Sequence, residues 1–595
     1  MGYSFQRNEA IIQSKTKELF GVGAVVTASS YLVLVVDFML IGWILGADAV
    51  AAAGLCDSFV DIAEFPGFVL SSSGPIAAGI LMGKRQYRQA NGVFTLSFLV
   101  ALVGGILCWC LLPFCDAFGS LLAGADSAIA GEAARYTFFV LAASPFIALN
   151  LVLSGFAILD NHSKLAMGQV VTANVVNIVL DIVLMKFLHM GVAGASAASM
   201  MGNIAGIAVG LPYLLSKKRT FRFTMQPRAL RETCRALASS SVSFSVDKAS
   251  RIFSTLIVNL LLMRYTGSVG VALYAVYGRL KFVLRILAGG ALQTISNLGS
   301  MLYGERDFFG IRKMLSLLLK YTYAIVLAVV VVLAVFSVPF LRSYGIDTEV
   351  PGTHTLLAFR MMLLCLPFLW CNELLARFYP VIQRQKLSVL LLTLQYVVCK
   401  ILLLLLAVAA IVQWDASRLP AVALWCFLTE VLSLAVTLFW EKLRYKQIAL
   451  FGMKDRGDLD CHTFSIPGKP ESVADIHREI DYFCRQNQIP RNKGNLLSIA
   501  FEEAALNIIH HGKQVDMIDI CLLLEDGNLI VRIRDNGVQF DPLSYEDEND
   551  ILQRNNINLL ERLADQKTYT RIMNMNNTVL SLRLEVPQDA QPNGQ

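Results

Sequence analysis

The chain has 595 residues, 55% of them hydrophobic and 16% charged, with a mean hydropathy of +0.56. That excludes an ordinary water-soluble enzyme of this size. The formal net charge of +6 does not point to nucleic acid, because most Lys and Arg sit in short clusters between apolar runs, where cytoplasmic loop charges are expected.

The opening MGYSFQRNEAIIQSKTKELF is polar and lacks the apolar core and small-residue cleavage site of a secretory signal, so the first span is expected to stay in the mature protein. Stretches long enough to cross about 30 Å of hydrocarbon lie near residues 20–45, 57–82, 93–115, 136–159, 164–188, 191–215, 241–263, 269–300, 315–341, 354–381, 387–413 and 420–441. The expected fold is therefore a polytopic α-helical membrane protein of about twelve spans. Lys84, Arg85 and Arg88 follow the second span, Lys217 to Arg235 the sixth, and Arg306, Arg312 and Lys313 the eighth. The alternate loops carry Asp116, Asp126, Glu132, Asp347, Glu349 and Asp415 with few bases. This bias predicts a multi-pass plasma (inner) membrane protein with both termini in the cytosol. The Cys residues have no paired framework, and several (Cys108, Cys110, Cys365, Cys399) fall inside apolar runs, as small buried hydrophobes do.

An internal repeat divides the spans into two six-helix bundles. NLVLSGFAILDNHSKL from Asn150 and NELLARFYPVIQRQKL from Asn372 align at an offset of 222 residues, matching Leu153 with Leu375, Phe156 with Phe378 and Lys164 with Lys386. An even number of spans per half makes the copies parallel, as in transporters whose halves flank a central cavity. The expected division is 1–215 first bundle, 216–240 basic cytosolic linker, 241–445 second bundle, 446–460 linker, 461–587 cytosolic domain and 588–595 disordered tail.

An ionised Asp at the bilayer centre costs about 2.5–3.5 kcal/mol on insertion scales, so Asp37 and Asp181 call for a reason. Asn177 lies four residues before Asp181, on the same helix face, and Asn150 adds a polar group from the fourth span. Such oxygens suit a small cation, or the carboxylate suits a proton; neutral packing residues are the alternative. The second-half counterparts of Asp37, Asn177 and Asp181 are Asn259 (or Val258), Cys399 and Leu403, so acidity is expected in the first bundle only. Asp247 with Arg251, and Glu373 with Arg377, are spaced to pair along their own helices, and Glu430 has no helix-mate.

The runs VVDFMLIGWILGADAVAAAGL from Val35, SGFAILDNHSKLAMGQVVTANVVNIVLDIVLM from Ser154 and MGVAGASAASM from Met190 resemble segments of the multidrug and toxic compound extrusion (MATE) family over about residues 15–445. The resemblance implies two rocking six-helix lobes that export organic cations or other amphiphiles in exchange for sodium ions or protons. It also places a first-lobe cation site on Asp37, Asn150, Asn177 and Asp181, with Ser199 where a Thr is common. Asp247 lies in the helix that carries acidic residues in the second lobe of that family, but the remaining positions are not clearly matched.

Beyond about Lys446 apolar density falls and a small α/β pattern begins. TFSIP, MIDICLLLED, NLIVRIRDNG and NTVLSLRLEV read as strands, and ESVADIHREIDYFCRQN and NKGNLLSIAFEEAALNIIHHG as helices, making a two-layer sandwich. Glu503, Asn507 and His511 form one helical stripe, and DNGVQFDP from Asp535 follows a strand. Together these resemble the histidine kinase, Hsp90 and gyrase type of ATPase, above all its anti-sigma-factor serine kinase branch. The resemblance implies ATP and magnesium as cofactors. Asn507 would hold the magnesium, Asp535 would accept from the adenine amino group, Gly537 would let backbone approach the base, and Glu503 would act as general base towards a protein serine. The glycines of the family's phosphate loop are replaced by Gln539, Arg554 and Asn556: either Arg554 is a substitute phosphate contact, or the loop no longer closes and the fold serves as a partner-binding module.

The leading expectation is a secondary efflux transporter for cationic or amphiphilic small molecules, regulated by its cytosolic ATP-binding or partner-binding domain, with membrane lipid and a cytosolic regulatory protein as further partners and no nucleic acid. Alternatives are a membrane-tethered signalling protein with serine kinase or partner-sequestering activity, and a lipid-linked oligosaccharide flippase. Primary pumping is disfavoured by the lack of a GxxxxGK[ST] loop.

Overall fold

A computed structural model describes residues 10–542 and 565–583, apart from positions 47–48, 50–52, 54–55, 124–126, 218, 226–228, 344–353, 411–418, 450–460 and 526–527. The expected phosphate loop around Arg554 and Asn556 and the tail 588–595 lie outside the described residues. The chain forms two compact units, one of residues 18–307 and 314–452, the other of residues 453–595 with 1–17 and 308–313.

The larger unit is helical. Among the described residues ten helices are long and apolar enough to cross a membrane, from Ala10–Leu45 to Pro420–Tyr445. Each falls on one of the twelve expected spans. The seventh and eighth expected spans differ: Leu230–Ala288 is one continuous helix of 59 residues, carrying Asp247, Lys248, Arg251, Lys281 and Arg285. At 1.5 Å per residue it runs for about 90 Å, roughly three times the hydrocarbon thickness.

Small residues set how closely the first-lobe helices approach. A Cβ on Gly67 would lie 2.6 Å from Ala148 Cα, and one on Gly105 2.5 Å from Pro145 Cα, so Asp57–Gly83 and Tyr87–Cys108 each meet Ser127–Leu159 nearly backbone to backbone. Pro66 and Pro75 stand inside Asp57–Gly83, a placement tolerated where neighbouring helices and hydroxyls re-satisfy freed carbonyls. Three segments widen into π-helical turns: Val183–Phe187 just after Asp181, Ile295–Gly299, and Leu394–Val398. Such turns re-aim side chains and often mark functional positions.

The smaller unit holds a five-stranded antiparallel sheet: β1 (Cys461–Pro467), β2 (Met517–Glu525), β3 (Asn528–Asp535), β4 (Gln566–Ile572) and β5 (Met575–Arg583), in spatial order β1-β2-β3-β5-β4. Helices Ala474–Gln486 and Arg491–His511 cover one face. Ile476, Ile480, Phe483, Phe501, Ala504 and Ile508 from the helices pack with Ile518, Ile520, Val531, Ile533 and Leu580 from the strands in one buried core, the two-layer architecture expected. Strand β4 had not been anticipated. It pairs with β5 through a two-residue turn at Met573 and Asn574, whose φ values of 53° and 58° suit a hairpin that follows the sheet's twist.

Candidate coupling and nucleotide sites

In the first lobe the small-residue face of Val192–Leu215 brings the polar groups together. A Cβ on Gly202 would sit 2.5 Å from Ala173 O, and one on Gly206 2.7 Å from Asn150 Oδ1, so this helix lies directly on Ser163–Ile182 and Ser127–Leu159. Ser199 thereby meets Asn177. With its amide nitrogen turned to the carboxylate, Asn177 donates to Asp37 Oδ1 at 2.9 Å, and its oxygen accepts from Ser199 N and Oγ at 3.1 and 3.0 Å. The opposite amide orientation would leave oxygen facing oxygen at Asp37.

Asp181, one turn beyond Asn177, is 0% exposed, and neither carboxylate oxygen has a hydrogen-bond donor. The group facing it is the Asp37 carboxylate, whose charge acts on it and which is close enough to share a hydrogen bond with it when one of the two carries a proton. Asn150 joins from the side: its Nδ2 donates to Asn203 Oδ1 at 3.0 Å, it accepts from Gln169 Nε2, and Asn203 Nδ2 donates to Ser199 O at 2.8 Å. All five residues singled out from sequence therefore lie in one polar cluster. Gln169 and Asn203 had been missed; their signal is helical spacing, two turns before Asn177 and one turn after Ser199. Two neighbouring carboxylates, one of them buried without a donor, constitute a site that a proton or small cation would neutralise.

The second lobe corrects two expectations. Asp247 and Arg251 do pair, at 2.6 and 3.0 Å. Glu373, however, pairs with Arg285 at 2.9 Å and is approached by Arg251 at 3.4 Å, whereas the Arg377 guanidinium lies over the Phe244 ring at 4.7 Å. A four-residue spacing makes a pair available, but two guanidinium groups from Leu230–Ala288 reach the carboxylate instead. Buried acidity is also not confined to the first lobe. Glu430, 1% exposed, accepts from Tyr277 Oη at 2.6 Å, Asn372 Nδ2 at 2.8 Å and Gln395 Nε2 at 2.7 Å. Asn372 is the repeat counterpart of Asn150, so each lobe has a buried amide at the same place in a polar network.

In the smaller unit Asp535 ends β3, and the register sets Asn576 of β5 directly across from it. Asp535 Oδ1 accepts from Gly537 N at 2.9 Å and Asn576 Nδ2 at 2.7 Å; Asn576 Oδ1 accepts from Tyr569 Oη and Arg571 at 2.8 and 2.7 Å. Burial pushes the Asp535 carboxyl up to about 6, against the downward pull of the bonds from Asn576 and Gly537 and of the Arg571 charge. A Cβ on Gly537 would lie 2.6 Å from Gly512 O, so the turn and the end of Arg491–His511 meet at backbone distance. His511 stacks on Phe540, centroids 5.2 Å apart. Asn507, on the same helix, is 1% exposed, and its amide oxygen and nitrogen both lack partners. A buried orphan amide one turn from Glu503 fits a site completed by a ligand, as magnesium-bound phosphate would complete it. Asn576, Tyr569 and Arg571 had not been singled out from sequence, since two of them belong to the unanticipated β4.

Such a two-lobe helical bundle, followed by an ATPase-type sandwich, defines a transporter-fold membrane protein with an attached nucleotide-type domain. The chain belongs to the MatE family: its model matches residues 24–183 and again 246–406, copies that begin 222 residues apart. Residues 466–583 match the histidine kinase-like ATPase domain. The Multidrug export protein MepA of Staphylococcus haemolyticus is 25% identical over 256 residues, 41% of this chain and 54% of that protein. DNA damage-inducible protein F of Escherichia coli is 31% identical over 90 residues, 15% of this chain and 20% of that one. The chain thus matches about half the length, or less, of these curated relatives. Among solved structures, a MOP superfamily transporter from Pyrococcus furiosus, described as having a binding pocket of reverse polarity, aligns with a TM-score of 0.64 at 21% identity over 75% of this chain and 98% of that one. An outward-facing multidrug resistance MATE transporter aligns at 0.65 and 20% identity, over 76% and 99%. These likenesses establish the fold.

Proposed function

We propose that the membrane unit is a secondary exporter of amphiphilic small molecules, organic cations among them, driven by sodium ions or protons that enter the Asp37–Asp181 centre. The observation that carries this reading is Asp181, buried beside a second carboxylate with no donor of its own. Neutralising that charge stabilises one arrangement of the first lobe, and substrate affinity changes with the arrangement. Asn177 and Ser199 hold Asp37 in place, and Asn150 braces the cluster through Asn203.

The histidine kinase-like domain is, on this reading, a cytosolic regulator that binds ATP. Asn507 would hold magnesium, the Asp535 carboxylate would accept from adenine, and Glu503 would act as base towards a protein serine. The buried orphan amide of Asn507 supports this reading.

The test is dye export from energised vesicles under imposed sodium or proton gradients. Asp181→Asn is expected to abolish gradient-driven export while leaving membrane expression near that of the native chain. Export that persists in the variant, or that is lost only in step with expression, overturns the coupling role.

A further inference from the structure

Among the described residues, and apart from the matched Arg384–Glu441 pair, formal charge in the interior of the second lobe does not balance. Asp247, Glu373 and Glu430 face Arg251, Arg285, Arg377, Lys281 and Lys400. Asp247 and Glu373 are matched by Arg251 and Arg285. Glu430 is occupied by the neutral donors Tyr277, Asn372 and Gln395. Arg377, whose guanidinium lies over the Phe244 ring, Lys281 and Lys400 therefore remain; among the described residues neither lysine has a carboxylate within ion-pair distance, although the Glu430 charge acts on both.

Their surroundings are aromatic. Lys281 Nζ lies 4.6 Å from the centre of the Tyr277 ring and 5.3 Å from that of Tyr396. Lys400 Nζ lies 4.9 Å from Tyr274, 5.8 Å from Tyr277 and 5.6 Å from Tyr396. Two ammonium groups thus share two rings, and Lys400 is only 3% exposed. Ring faces attract cations, but they do not remove the repulsion between two like charges in a low-dielectric interior. The assembly is also built deliberately: Tyr396 and Gln395 come from the π-helical turn Leu394–Val398, and Trp425 Nε1 caps Lys400 O at 2.8 Å on the next turn of the same helical segment.

We propose that Lys281 and Lys400 form a subsite for the anionic group of the transported molecule, a carboxylate, sulfonate or phosphate on an amphiphilic body, with Tyr274, Tyr277 and Tyr396 packing against that body. This rests on the reading of the membrane unit as a small-molecule exporter and narrows its substrate class. Zwitterions and anionic amphiphiles are preferred over simple cations, because Glu430 is held by neutral donors and forms no ion pair with either lysine.

Rhodamine B and its ethyl ester test this, because they differ only in a free carboxylate. Binding to the purified full-length chain is measured by fluorescence anisotropy, and gradient-driven export is measured in proteoliposomes. The native chain is expected to bind rhodamine B about tenfold more tightly than the ester, the size of one charge-assisted contact. The Lys281→Gln/Lys400→Gln double variant is expected to lose that preference while still binding the ester, which shows that it folds, and the Lys281→Arg/Lys400→Arg variant to keep it. Equal affinity for the two dyes in the native chain, or a preference that survives in the double Gln variant, overturns the subsite while leaving the exporter reading intact. Neither dye bound nor exported by the native chain overturns both.

Discussion

Asp535 shows how a single buried carboxylate links stability to pH. Its pKa is raised to about 6 from an ordinary value of 3.8, mainly by burial. A raised acid favours the fold in its protonated form: that contribution is complete below about pH 4 and is lost as pH rises through 6. At pH 7.5 the ionised side chain therefore destabilises the domain, by about 1–3 kcal/mol. Asp535→Asn is expected to slow amide hydrogen exchange in β3 and β5 of the full chain at pH 7.5 and to abolish nucleotide binding; faster exchange would contradict the argument. With Asp535 in the proposed role of adenine acceptor, ATP affinity in the native chain should fall as pH drops through 6, because a protonated carboxyl is a poorer acceptor for the adenine amino group. The same scale separates what was readable in the sequence from what was not. Asp37, Asn177 and Asp181 were visible because charge is costly in a membrane and four-residue spacing shares a face. Glu430 was visible only as an isolated charge, since its partners lie 35, 58 and 153 residues away.

At the scale of elements, the decisive contacts are made where side chains are absent. Val192–Leu215 approaches Ser163–Ile182 because Gly202 faces Ala173 O. Gly202→Val must push the two backbones apart, since the obstacle is a carbonyl and not a flexible side chain. Overpacking of this kind costs about 1–3 kcal/mol, and it separates Ser199 from Asn177. Ion-coupled export in that variant is expected to fall at least tenfold at unchanged expression, measured in the same vesicle assay; native rates would show that the helix spacing does not set the site. Apolar helices were legible because the bilayer demands about twenty apolar residues. Strand β4 was not, because QKTYTRI at the sheet edge shows no apolar alternation and is recognisable only by its pairing with β5. The seventh and eighth expected spans form one helix, unread in the sequence for a related reason: hydropathy reports which residues tolerate lipid, not where the backbone turns.

For the molecule as a whole, the proposed division of labour predicts that removing residues beyond 452 leaves substrate flux in proteoliposomes within about twofold of native, while any response to ATP is lost. Flux that disappears with the domain, in a variant that still inserts, would favour the signalling reading. The class of fold, the repeat, the first-lobe acidic pair and the nucleotide-type motifs were all determined by the sequence alone, because each rests on local composition, on helical spacing or on similarity between segments. Only the tertiary structure decided that Glu373 answers Arg285 and not Arg377, that Asn576 stands across from Asp535, and that Lys281 and Lys400 share one aromatic cage. Those pairings join residues far apart in the chain, and in a low-dielectric interior it is spatial proximity, not sequence spacing, that sets which charges meet.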